Sequence, residues 1–255
     1  MNISFLFVLP FFAIVARVAG LAIIAPVFGS SSIPKTVRLM IVLCLGFSAW
    51  SMTAGIPVQS IGPLDVLVLL AGEFAIGATI GFLMSLPLVA MQMGGSLIGQ
   101  QMSIALPAML DPATGSESDE MGKAFIMFAI VGFVIIGGVE QTYIATANSF
   151  HHLPFITLIE GSFGDMLAGF LDTVFEFGLR VALPLIAVIL IQTVAIAMVA
   201  RSMPQLNIFS VGLPVRILVA LMLLVFGMSF ISGLMANWIP NMVDSVSNWA
   251  SGGHL

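Results

Sequence analysis

The sequence predicts an all-α integral membrane protein built from about six kinked hydrophobic helices. Three observations lead there. Only 7% of the 255 residues are Asp, Glu, Lys or Arg, 60% are apolar, and mean hydropathy is +1.17. A soluble domain carries about 25% charged residues because it needs a hydrated surface, so most of this chain's surface must face lipid or other proteins. Six apolar stretches stand out, at about 4–28, 37–55, 65–91, 124–147, 167–199 and 212–238, and each is long enough to supply the roughly 20 residues a bilayer-spanning helix requires. None shows the strict alternation of a barrel strand, and helices are the economical way to satisfy backbone groups in lipid.

The first stretch follows Met1-Asn2-Ile3-Ser4 and reads as a retained helix rather than a leader, since the first base is Arg17, deep within it. The second contains Cys44, the single cysteine, expected to behave as a small buried hydrophobe. The third opens at Gly62-Pro63 with Asp65 as a candidate cap. It holds Glu73, the close-packing step Gly77/Gly81 and an internal Pro87, and Gly95/Gly99 just beyond it form a second such step. The fourth carries Glu140 near an end, read as a solvated boundary residue. The fifth holds Asp172, Glu176 and Arg180, spaced by four so that they share one helix face, and Pro184, expected to kink it. The sixth ends near Pro240, one of several prolines that mark segment ends.

Charge inside apolar stretches is costly and faces protein or water. Glu73, Asp172, Glu176 and Arg180 are therefore candidates for an intramembrane polar seam. Two readings stand: a structural Glu176–Arg180 salt bridge near a helix end, or a seam against a partner subunit or an aqueous pore.

The connections differ in charge. Lys35 and Arg38 flank the first loop, Lys123 lies in the third connection, and Arg201 and Arg216 flank the fifth, while 56–64, 148–166 and both termini hold no Lys or Arg. The positive-inside rule then places the basic loops in the cytoplasm and both termini outside. The connection 92–123 is long and unlike lipid-facing sequence. It runs from Gln92-Met93-Gly94-Gly95 through Leu106-Pro107-Ala108-Met109-Leu110-Asp111-Pro112 to the acidic Glu117-Ser118-Asp119-Glu120. Its glycines and prolines predict non-helical backbone packed in protein or lining a cavity, and its length predicts a structured, functional loop rather than an ordinary connection.

Catalytic signatures are absent from the sequence. Gly122-Lys123 is followed by Ala124, so the phosphate-loop pattern fails. His151 and His152 are adjacent and do not share a helix face. The net charge of −5 is dilute and of the wrong sign for nucleic acid. The expectation is a protein that is not an enzyme and needs no cofactor or metal.

Three strings carry a specific resemblance. The first is Arg17, Gly20, Pro26, Phe28, Gly29, Pro34 and Arg38. The second is Gly95, Gly99, Gln100 and Asp111-Pro112. The third runs from Arg201-Ser202-Met203-Pro204-Gln205-Leu206-Asn207 to Ile208-Phe209, then Gly212 and Pro214. Over about residues 5–245 the chain resembles the FliR/SctT family of type III secretion export-apparatus membrane proteins. The resemblance implies helical hairpins lifted largely out of the bilayer plane, in a bacterial inner-membrane export gate of the flagellar basal body. The implied partners are FliP, FliQ, FlhB and FlhA, together with membrane lipid and unfolded flagellar substrates that thread the channel. It further implies a single export-gate domain over 1–255, with a FliP-like part at about 1–179 and a FliQ-like hairpin at about 180–255. Residues Leu106, Pro107, Ala108, Met109, Leu110, Asp111 and Pro112 match the family's channel plug loop. Arg201, Pro204, Gln205, Leu206 and Asn207 match its cytoplasmic turn, where FlhB contacts are expected. The alternatives are the injectisome counterpart and, from another class, a small-solute secondary transporter. The transporter reading requires an inverted repeat between halves, which the sequence does not display.

Overall fold

A computed structural model of the chain describes residues 3–29, 33–52, 63–102, 119–152, 162–202 and 208–250. Among these residues there are seven helices and no strand: α1 (Ile3–Ile24), α2 (Lys35–Met52), α3 (Pro63–Gln101), α4 (Glu120–Ile135), α5 (Gly138–His152), α6 (Ser162–Ser202) and α7 (Ile208–Ala250). The all-α membrane class is thus the observed one.

Prolines and glycines interrupt the helices less than their local chemistry predicts. Pro10, Pro87 and Pro184 lie inside α1, α3 and α6, and α7 passes Pro240 to reach Ala250. A proline removes one backbone hydrogen bond, but in apolar surroundings water cannot replace the rest of the ladder, so the helix continues. For the same reason α3 absorbs residues 92–101, expected to be non-helical, despite Gly94, Gly95 and Gly99. Residues 120–123 begin α4. The long connection shortens to 102–119, of which 103–118 lies outside the described residues.

The fourth apolar stretch is two helices, not one. Gly137 adopts φ +77°, a conformation open to glycine at no steric cost. Its amide donates to Val134 O at 3.1 Å, closing α4. The chain turns by 67° between α4 and α5. Pro63 opens α3, where its missing N–H is harmless, so Asp65 falls in the first turn rather than before it. Glu140 is an exposed first-turn residue of α5, as its boundary reading expects. Cys44, expected to be buried, is exposed. It lies on the outward side of α2 beside Leu43 and Phe47, which are also exposed.

The chain divides into two compact units. The first comprises Met1–Leu86, Phe133–Leu171 and Ile239–Leu255. Its α1–α2 hairpin packs Val18 and Ala22 against Val42, with the Phe11 ring 5.0 Å from that of Trp50. α1 and α3 touch backbone to backbone. A Cβ at Gly77 would collide with Arg17 O, and one at Gly20 would collide with Phe74 O. The second unit comprises Pro87–Gly132 and Asp172–Trp238. There Gly95 of α3 lies against Met121 O and the Phe125 ring of α4, while Phe177 of α6 stacks on Trp238 of α7 at 3.8 Å. Both small-residue steps read from the sequence are places of close helix approach.

Among the described residues, α3 (Leu64–Gln101) and α6 (Leu167–Ser202) are each long and apolar enough to cross a membrane, and α4 with α5 forms a third candidate if the bent pair counts as one span. At 1.5 Å per residue, α3, α6 and α7 each measure about 60 Å along the helix path, twice a hydrocarbon core of about 30 Å.

Two glycine substitutions separate close packing from composition. Gly77→Leu places a side chain into a backbone carbonyl and is expected to cost at least about 1–3 kcal/mol. Gly233→Ala, with nothing within 4 Å of the new atom, is expected to be neutral or mildly stabilising. Thermal denaturation of the two variants in detergent, followed by limited proteolysis, checks this ordering.

Candidate functional site

The deepest charge in the first unit is Arg17, 2% exposed at the middle of α1. Its Nε donates to Glu73 Oε2 on α3 at 2.6 Å, and a terminal nitrogen donates to Ser149 Oγ on α5 at 2.8 Å. The Phe150 ring lies 4.4 Å from its Cζ, within range of a cation–π contact. Ser149 Oγ in turn donates to Thr146 O at 2.7 Å, and Thr146 Oγ1 to Thr142 O at 2.9 Å. Thr142, Thr146 and Ser149 are all buried, and their spacing makes them one polar stripe on α5. The guanidinium fork thereby joins three helices, and the glycines that let α1 approach α3 stand at the same level. Glu73 is held by Arg17 in this unit, while Asp172, Glu176 and Arg180 belong to the other. The α5 stripe escaped the sequence reading, though its spacing of four and three residues is visible in the sequence.

On α6 the three predicted seam residues are all exposed. Arg180 donates to Glu176 Oε1 at 2.5 Å, with side chains 65% and 58% exposed. The order, acid four residues before base, is the favourable one. In solvent such a pair contributes little stability.

Both ends of the 102–119 connection are held. Met102 is fully buried. Asp119 caps α4, its Oδ1 accepting from Gly122 N at 3.1 Å, while Oδ2 accepts from Ser96 Oγ on α3 at 2.8 Å. The segment Leu106–Pro112 lies between these anchors and outside the described residues. Arg201 is exposed in the last turn of α6, where a cation complements the helix dipole. Pro204, Gln205, Leu206 and Asn207 lie outside the described residues. An apolar groove of about 350 Å³ runs between α4 and α7, lined by Met121, Phe125, Phe128, Val225, Met228 and Ile231.

Among the described residues the prominent features are a buried ion pair that ties helices together, a connection anchored at both ends, and large apolar side chains exposed along the helices. The sequence profile of the bacterial export proteins, family 1, matches residues 8–242. The chain belongs to this family. Its relatives include the flagellar biosynthetic protein FliR of Escherichia coli K12, 30% identical over 91% of this chain and 87% of that protein. FliR of Aquifex aeolicus is 29% identical over 87% and 86%. The surface presentation of antigens protein SpaR of Salmonella typhimurium is 28% identical over 83% and 80%. Membership in bacterial export family 1 makes the chain a membrane component of a type III export apparatus, in agreement with the resemblance read from its three sequence strings.

The Arg17–Glu73 pair yields a stability prediction for this family member. Arg17→Met leaves Glu73 without its cation, and Glu73→Leu strands Arg17; each is expected to cost about 3–5 kcal/mol. The double substitution is expected to cost less than the sum of the two. A double-mutant cycle on thermal stability measures that coupling, and strict additivity would show that the two residues are energetically independent.

Proposed function

We propose that the chain is a subunit of the flagellar type III protein export gate, joining FliP and FliQ to form the channel through which unfolded flagellar proteins leave the cell. In this reading it sits in the bacterial inner membrane at the flagellar basal body, and both termini face the periplasm on insertion. FlhB wraps the base of the gate and meets the turn around Arg201, Pro204, Gln205, Leu206 and Asn207, and FlhA lies nearby. Residues 1–179 form the FliP-like part and 180–255 the FliQ-like hairpin. The segment Leu106–Pro112 obstructs the closed channel. The role is non-enzymatic and uses no cofactor.

The observation that carries the reading is the family match over residues 8–242. The helix dimensions support it. Helices of about 60 Å exceed the bilayer, yet large apolar side chains stand exposed along them, from Leu64 (79%) on α3 to Ile191 (69%) on α6 and Phe226 (79%) on α7. Apolar area left in water costs about 25 cal/mol per Å². Neighbouring subunits are the natural cover for the parts that lipid does not reach. SpaR relatives at 26–28% identity fall within the range of the FliR relatives, which makes the injectisome counterpart the second reading. A flagellar gene neighbourhood selects between the two.

Co-expression with FliP and FliQ tests the assembly. The expected result is a stable complex from which tagged chain recovers both partners, whereas the chain alone aggregates. A monodisperse, stable chain that recovers neither overturns the reading. Deleting 106–118 is expected to leave assembly intact while making the resting membrane conduct small ions. Unchanged conductance in an assembled complex counts against the obstruction role of that segment.

A further inference from the structure

α6 presents an outward face that suits neither lipid nor water. Asp172, Glu176 and Arg180 recur at every fourth residue, and Phe175, Leu179 and Leu183 stand among them, 57%, 44% and 55% exposed. At about 100° per residue these six positions fall within one sector of roughly 140°. The opposite face, with Val174, Phe177 and Val181, is buried inside the second unit. Hydrocarbon solvates ions poorly, and water solvates Phe and Leu poorly. A mixed stripe of this kind is satisfied by another protein surface that is apolar with a polar group in register.

The charge count says which group. Arg180 is engaged with Glu176 at 2.5 Å. Asp172 is exposed one turn before Glu176 and makes no salt bridge or hydrogen bond through its side chain among the described residues. Two acids and one base leave the stripe one positive charge short, at its Asp172 end. A second copy of the chain does not supply it well. Copies inserted in the same sense pair in parallel, which sets each charge against its like, and the antiparallel pairing that would set Asp172 against Arg180 requires copies inserted in opposite senses.

We propose that this face of α6 docks an apolar helix of a different subunit, one that carries a single Lys or Arg aligned with Asp172. The proposal rests on the reading of the chain as an assembled subunit, and it names the chemistry by which one neighbour is recognised. Arg or Lys paired with a carboxylate inside such an interface fixes register more than it adds affinity. The surrounding leucines and phenylalanine supply the apolar cover.

The test places a photo-crosslinking residue at Phe175 or Leu179 of the full chain, in native membranes, and identifies the joined peptide by mass spectrometry. The expected product is an adduct with an apolar segment of another polypeptide, with a Lys or Arg within one turn of the joined residue. Asp172→Lys is expected to lower that adduct by about tenfold or more, because two cations then face each other. Asp172→Asn is expected to lower it less, and replacing the partner's base by Glu is expected to restore the Asp172→Lys chain. Adducts with lipid alone, with a second copy, or with a segment lacking a base overturn the proposal, as does an adduct yield unchanged by Asp172→Lys. Should the Asp172→Lys chain fail to accumulate, Asp172→Asn paired with the partner's base→Gln makes the same comparison. An adduct with a base-bearing helix outside the export apparatus supports the docking face and removes the functional reading. Recovery of export proteins together with lipid-only adducts does the reverse.

Discussion

A cation at the middle of an apolar helix must find an anion, and the first unit is arranged so that Arg17 does. Its guanidinium reaches Glu73 on α3 and Ser149 on α5 from a single position on α1. That reach is possible only because Gly20 and Gly77 let α1 and α3 approach until a single added carbon would collide with backbone oxygen. Ion pair and glycine contact depend on each other. Without the close approach the pair would be too long, and without the pair the approach would bury an uncompensated charge. The hydroxyl stripe of α5 completes the arrangement by satisfying donors that a lone carboxylate leaves over.

The second constraint is dimensional. Helices near 60 Å with apolar faces along much of their length do not fit a 30 Å hydrocarbon layer as ordinary spans. The chain belongs to the bacterial export proteins, family 1, and a component of a larger apparatus can leave apolar flanks that a free-standing subunit would have to cover. The same view accounts for the division of labour among its charges. Arg17 and Glu73 are buried and internal, whereas Asp172, Glu176 and Arg180 face outward on α6. Charges of the first kind join α1 to α3 inside the unit, whereas on α6 Glu176 and Arg180 pair with each other on an exposed face.

Much of this was legible in the residues themselves. The scarcity of charge dictated a membrane protein, and apolar run lengths located the helices to within a few residues at most ends. Gly77/Gly81 and Gly95/Gly99 marked close helix approaches, and the Glu176–Arg180 spacing marked an ion pair. Local rules misled where the surroundings outweighed them. Residues 92–101 looked like helix-breaking sequence and are helical, because in an apolar environment an unmade backbone hydrogen bond costs more than a glycine does. Cys44 looked buried and is exposed, because apolar sequence does not say which face of a helix turns inward when both faces are apolar. The break at Gly137 was hidden for a related reason: a run of apolar residues looks the same whether the helix within it is straight or bent.

Composition, run length and motif were enough to establish the class of the protein, its family and the approximate helix positions, because all three are local properties of the chain. Which ion meets which is a matter of three-dimensional packing. Arg17 and Glu73 are 56 residues apart, and Arg17 and Ser149 are 132 apart. Nothing in either neighbourhood encodes those separations. The pairings are set by the crossing of α1, α3 and α5, a consequence of where glycines allow helices to touch, and it is that crossing which turns isolated charges in greasy segments into an internal brace.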